Sequence, residues 1–306
     1  MSLFAVKIRK IREKISKKIQ KLKHTKLINR NTAMIRQIVV SMHNDELKKS
    51  ARYQDPKHLI RFGEKIYSQN EEDGIIKEIF NRIGVTNKIF VEFGIGDGLE
   101  NNTLALLLSD WKGLWMDGST RSINNIKDHF KCVINNNRLK ALEIFVTKEN
   151  INELISTNID EKEIDLLSID IDGNDATIFK AITAISARVV VIEYNSKFPP
   201  PVKFSVDYDP THNWQGDDYM GASISYLEDC FNEKGYKLVG CDLLGTNAFF
   251  VRDDLVGDKF LQPYTAEHHY EPARYHLVGR ISGHSPTYKS IEKILNSCQK
   301  IHNQNS

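Results

Sequence analysis

The sequence predicts an α/β protein, a doubly wound seven-stranded sheet ending in an antiparallel hairpin and preceded by a helical arm. Three observations predict it. From Ile89 to Ile192 short apolar runs alternate with helix-forming stretches, the pattern of strand and helix units that pair in parallel. The first run leads into Gly94, Gly96 and Gly98, where alternate glycines let the backbone turn sharply and approach a ligand. The last two runs, Tyr236 to Cys241 and Thr246 to Arg252, meet through Leu243-Leu244-Gly245 and read as a closing hairpin.

The elements follow in order. Phe4, Ile8, Ile11, Ile15, Ile19 and Leu22 recur at three- and four-residue steps, one apolar stripe on a helix whose other faces are cationic. Ile35 to Lys49 reads as a second helix, and Asp55-Pro56 breaks the chain. Ser68 and Glu71 form a capping box for a helix that buries Ile75, Ile76, Ile79 and Phe80 and stops at Gly84. Strand Ile89 to Phe93, the glycine loop and an apolar helix from Thr103 to Leu108 come next, then Leu114 to Met116, a strand ending in Asp117. A helix at Ser122 to Phe130, a strand at Leu139 to Phe145, a helix at Glu149 to Ser156, and strands Ile164 to Ile169 and Val189 to Ile192 continue the alternation. Ile224 to Asn232 is a helix before the hairpin. These divide the chain into an arm (1–60), an α/β domain (61–260) and a lid or helical tail (261–306).

Composition narrows the function classes. With 41% hydrophobic and 27% charged residues among 306, the chain can bury a sizeable core and is not a disordered tail. Its four cysteines lie far apart, so neither a zinc site nor a disulfide framework is indicated. No run approaches 18 apolar residues and no signal-type segment follows Met1, so a cytoplasmic setting is expected. Residues 1–30 hold eleven of the 42 Lys and Arg but one of the 40 Asp and Glu, leaving 31 basic and 39 acidic residues for the rest. Such an arm suits an anionic membrane surface at the inner face of the membrane. Packing of its stripe on the body or on a second subunit of a homo-oligomer is the alternative. Nucleic acid is disfavoured by the acidic body.

Two constellations carry chemistry. In the first, Glu92 ends the strand before Gly94, Gly96 and Gly98, where a carboxylate can meet a cationic or hydrogen-bond-donating group. Asp117 ends the next strand, about 20 residues on, where an acid can accept hydrogen bonds from ribose hydroxyls. The dinucleotide pattern would need glycine at Leu99; the E-x-G-x-G-x-G form resembles motif I of class I S-adenosylmethionine (SAM) methyltransferases. In the second, Asp170 and Asp172 follow the fourth strand, and Glu193 and Asn195 follow the fifth. This all-oxygen set suits Mg²⁺ or Mn²⁺, or else caps helices and binds substrate hydroxyls with no metal. An EF-hand is excluded, because Asp175 and Ala181 stand where it needs Gly and Glu.

From Tyr67 to Arg252, about 60% of the chain, the segments YSQNEEDG, FVEFGIGDG, SIDIDGND and VIEYN resemble the FkbM-related branch of bacterial SAM-dependent methyltransferases. That resemblance implies a Rossmann-like fold. The usual D-x-E-G signature carries Asp172 in place of its Glu, which points to a related subgroup. The chain is also similar to sugar O-methyltransferases of the macrolide and aminocoumarin pathways. That likeness implies Asp170 and Glu193 as metal ligands and Asp172 as general base, with Asn195 as third ligand because Tyr194 departs from their acidic pair. Metal coordination would lower the pKa of a sugar hydroxyl so that a carboxylate can take its proton. His212 is the second choice of base. The acceptor is expected to be a carbohydrate, met by the loop from Phe198 through Tyr208, Trp214 and Tyr219, on a surface polysaccharide or glycosylated metabolite. His268, His269, His276 and His284 lack a recognised metal spacing. An NAD-dependent oxidoreductase or epimerase, and a non-catalytic binding module, are the competing classes.

Overall fold

A computed structural model describes residues 3–277 and 286–304 of the chain. Strands β1 (Ile89–Phe93), β2 (Lys112–Asp117), β3 (Leu139–Glu143), β4 (Glu163–Ile169) and β5 (Ser186–Glu193) are parallel, in spatial order β3-β2-β1-β4-β5. Strand β7 (Asn247–Arg252) lies between β5 and β6 (Tyr236–Cys241), antiparallel to both. The seven-stranded, doubly wound sheet with its final hairpin is therefore present.

Strand alternation sends residues to two separate cores. Phe90, Trp115, Leu166, Val191 and Phe249 face α2 (Glu72–Ile83), α3 (Leu104–Leu108), α4 (Thr120–His129) and α5 (Lys131–Asn135). Val91, Phe93, Leu167, Ile192 and Phe250 face α6 (Ile151–Asn158), α7 (Asp175–Ala181) and α8 (Ile224–Glu233). Helices on both faces explain why all of β1 is buried, and why it is apolar apart from Glu92. Short α9 (Asp253–Val256) and α10 (Ala266–His269) follow the hairpin, and α11 (Tyr288–Gln304) lays Ile291 and Leu295 on the first core. The segment 278–285, with His284, lies outside the described residues.

Two expectations change at the amino end. Helix α1 (Leu3–Lys48) is one continuous helix of 46 residues, roughly 70 Å long at 1.5 Å per residue, where two shorter pieces were expected. No glycine or proline interrupts it. The side chains of Phe4, Ile8, Ile11, Ile15, Ile19 and Leu22 lie outside the described residues. The capping box at Ser68 closes on Asp73, not Glu71: Ser68 Oγ accepts from Asp73 N at 3.2 Å, while Asp73 Oδ2 accepts from the amides of Ile66, Tyr67 and Ser68. Glu71 instead meets Lys48 Nζ at 2.7 Å, joining the base of α1 to the body. Residues 51–62 also pack on the body, with Tyr53, Leu59 and Ile60 buried.

Candidate active site

The carboxyl ends of β1, β2, β4 and β5 open into a cavity of about 880 Å³, in the size range of small-molecule sites. This is the edge where open α/β sheets bind ligands.

The glycine loop forms one wall. Gly94 has φ +73° and a Cβ there would lie 1.5 Å from the Asp170 carbonyl oxygen, so only glycine lets the turns after β1 and β4 touch. Gly96, at φ +55°, faces open space. Its amide donates to Asp117 Oδ2 at 2.9 Å, while Asp117 Oδ1 accepts from Ser119 N at 2.7 Å. The acid at the end of β2 thus braces the loop and lines the cavity beside it.

Glu92 and Gly98 do not line the cavity. Gly98 sits against Trp115 and Ile126 in the core. Glu92 is 3% exposed and accepts from Asn101 Nδ2 at 2.9 Å, Asn102 N at 2.9 Å, Ser168 Oγ at 3.1 Å and Thr103 Oγ1. Burial pushes its carboxyl up to about 7, against the pull of the bonds from Thr103, Asn102 and Ser168. Glu92, expected to meet a ligand, here staples the end of the glycine loop to β4. The polar triplet Asn101-Asn102-Thr103, directly before α3, supplies three of the four donors.

Opposite the loop, carboxylate oxygens of Asp170, Asp172 and Glu193 lie within 4.8 Å of one another. Asp175 shapes the turn that brings them there, accepting from the amides of Ile171 at 2.9 Å and Gly173 at 2.8 Å. Asp172 sits in the left-handed region at φ +56°, a conformation that costs energy and is common at functional sites. Burial, then the like charges of Asp175 and Asp172, hold Asp170 well above the usual carboxylate range. Burial and then Asp170 do the same to Glu193. Burial raises Asp172 too, and His212 moderates the rise. Glu193 Oε2 is buried with no hydrogen-bond partner, a costly state for a carboxylate oxygen unless a cation or proton meets it.

Asn195, expected as the third ligand, lies outside this triplet. Its amide donates to the carbonyls of Asp218 and Met220 at 2.9 and 3.0 Å, and its Oδ1 accepts from Lys197 N at 3.2 Å. Every polar atom is committed to the loop after β5, and Asp172 takes the third position in the triplet. His212, far away in sequence, packs against Gly173; a Cβ there would meet its Cδ2 at 2.2 Å. Its Nε2 is buried without a partner, and the residue lines the cavity. The bond from Asn174 Nδ2 to Asp209 O at 2.7 Å fastens its loop to the same turn. Gln69, Asn70, Phe145, Thr246 and Tyr275 also line the cavity; they come from four separate loops, which only the fold brings together.

A parallel sheet closed by an antiparallel hairpin, with a glycine loop braced by the acid of the neighbouring strand, defines a class I methyltransferase. A family model described as the methyltransferase FkbM domain matches residues 17–238, and the chain belongs to that family of SAM-dependent enzymes. The match begins well before Tyr67 and takes in much of α1. Membership sets aside the oxidoreductase reading. The chain is similar to solved structures that include an S-adenosylhomocysteine-bound methyltransferase, PaMTH1, from Podospora anserina, at 16% identity and TM-score 0.38, covering 57% of this chain and 76% of that one. Others are the methyltransferase domain of bacterial CtHen1-C, at 13% identity and TM-score 0.38, covering 60% and 97%, and a SAM-dependent methyltransferase from Clostridium acetobutylicum, at 13% and 0.34, covering 58% and 89%. No curated protein matches the chain.

Proposed function

We propose that the chain transfers the methyl group of SAM to a sugar hydroxyl, with a divalent cation, Mg²⁺ or Mn²⁺, held by Asp170, Asp172 and Glu193. The observation that carries this reading is the convergence of three carboxylates beside the glycine loop, one with an unpartnered buried oxygen. An all-oxygen, anionic donor set fits a hard cation. When bound, such a cation acidifies a coordinated hydroxyl.

The side chains supply the rest. The acceptor oxygen attacks the sulfonium methyl carbon, the carbon–sulfur bond breaks toward sulfur to leave S-adenosylhomocysteine, and the hydroxyl proton passes to a base. Asp172 was expected in that role. A carboxylate turned toward a cation is a weak base, so the free Nε2 of His212 is the better acceptor, imidazole being the side chain suited to proton transfer near neutrality. Rigid placement of loop and turn by Gly94 against Asp170 supplies the alignment the displacement needs.

The lining favours a neutral, hydroxyl-rich acceptor. Among the described residues of the cavity wall are six carboxylates and no Lys or Arg, which repels phosphate-bearing molecules. Trp214 at the mouth is 45% exposed, available to stack on a sugar face. Surface polysaccharide or a glycosylated metabolite fits that description.

Calorimetry with S-adenosylhomocysteine and Mn²⁺, and methyl transfer from labelled SAM to simple glycosides with and without EDTA, test the proposal. Cofactor affinity in the micromolar range with EDTA-sensitive transfer supports it. Transfer that ignores EDTA removes the cation and leaves an unaided base.

A further inference from the structure

Helix α1 docks on the body by one side of its last turns. Val40 and Asn44 are buried there, and Leu47 packs beside Tyr53, Ile60, Leu243 and Leu244. The opposite side carries a second apolar stripe that no described residue covers. At 100° per residue, Ile28, Ile35, Ile38, Val39 and Met42, flanked by Leu27 and Met34, fall within a sector of about 140° centred opposite the docked side. Each is between 50% and 66% exposed. Exposed apolar residues gathered this way, and not scattered singly, mark an interaction surface.

The charge around the stripe selects its occupant. Between Glu13 and Asp45 there are eight Lys or Arg and no acid, and Lys14, Lys18, Lys21 and Lys26 are exposed. A second copy laid parallel along the stripe would bring two cationic stretches together. The stripe also spans only about two heptads, short of the three to four a coiled coil sustains. No helix among the described residues is long and apolar enough to cross a membrane. An apolar face about 24 Å long on a cationic helix fits the interface of an anionic lipid layer, where apolar burial and headgroup attraction add.

We propose that residues 27–42 of α1 seat in the surface of an anionic bilayer, with the apolar stripe at the acyl boundary and the preceding lysines on the headgroups. This does not depend on the acceptor or the cation. The test is co-sedimentation of the full chain with vesicles of phosphatidylcholine alone or mixed with phosphatidylglycerol. Binding is expected only to the mixed vesicles and should weaken with salt. Ile35→Gln with Ile38→Gln should abolish binding without changing the melting temperature or S-adenosylhomocysteine affinity. Lys14→Gln and Lys21→Gln, which flank the stripe on the helix, should each lower partitioning by about fivefold. Binding that survives the stripe substitutions, or no binding at all, overturns the proposal. So does a wild-type dimer that the stripe substitutions dissociate, which would make a second copy the occupant.

Discussion

Strand β4 has an aspartate near each end, and the protein treats them in opposite ways. Asp165, at the amino edge of the sheet, is wholly buried but meets Arg188 Nη1 at 2.7 Å and the amides of Thr86, Asn87 and Lys88 at 3.0, 2.9 and 2.7 Å. Burial works to raise its pKa; the guanidinium and the amides outweigh it and hold the group below the ordinary value. Asp170, five residues on, has no cation, and the charges nearest it are carboxylates that raise it further. One edge is satisfied within the fold. The other is left short of positive charge where it lines the cavity, as expected where function and stability compete.

The largest expected effects lie at the unsatisfied edge. His212→Asn should lower turnover by about 10²- to 10⁴-fold, the range for losing a general base, while leaving S-adenosylhomocysteine and Mn²⁺ affinities intact in calorimetry. Asp170→Asn should remove cation binding together with most activity. If Asp172→Asn gives the larger loss with cation binding preserved, the base is Asp172 and the comparison with His212 is reversed.

At the satisfied edge the loss appears in stability. Arg188→Met leaves Asp165 buried and unpaired, and should cost about 3–5 kcal/mol in urea unfolding. Asp170→Asn should move the other way, stabilising by about 0.5–2 kcal/mol as relief of an active-site compromise. Equal signs for the two substitutions would end the contrast between the edges.

The smallest effect is a difference in pH dependence. Asp165 is depressed in the folded state, so its contribution is present above the unfolded carboxylate value and is lost as pH falls through the folded one, below about pH 4. Asp170, Glu193 and Glu92 are raised, so they cost nothing below the unfolded value and destabilise as pH rises beyond it. For Glu92 that window runs from 4.5 to about 7. Thermal melts between pH 4 and 7.5 should show stability falling toward neutrality in wild type and a flatter profile in Glu92→Gln. A wild-type profile that rises across this interval would contradict the raised groups.

Strand and helix alternation, the glycine turn and the final hairpin were legible because each depends on residues close in sequence: β1 is apolar over consecutive positions, Gly94 stands at a turn, and Gly245 closes a hairpin. The same holds for Asp117 and for Asp170, which strand ends deliver to the ligand-binding edge by topology alone. Side-chain commitments were not legible. Glu92 and Asn195 have the chemistry of ligands, yet Asn101, Asn102, Thr103 and Ser168 claim the first and the loop at Asp218 and Met220 claims the second. Hydrogen-bond competition between distant segments has no local signature. His212 at the triplet and the outward stripe on α1 were likewise decided in three dimensions, the first by a loop fastened to Asn174, the second by which side of the helix Val40 and Asn44 spend on the body. The sequence by itself determined the sheet, the glycine loop and the family, since periodicity and turn chemistry act over a few residues. Which carboxylates stay free to work was decided only by the tertiary structure, because burial and partners are properties of the packed chain.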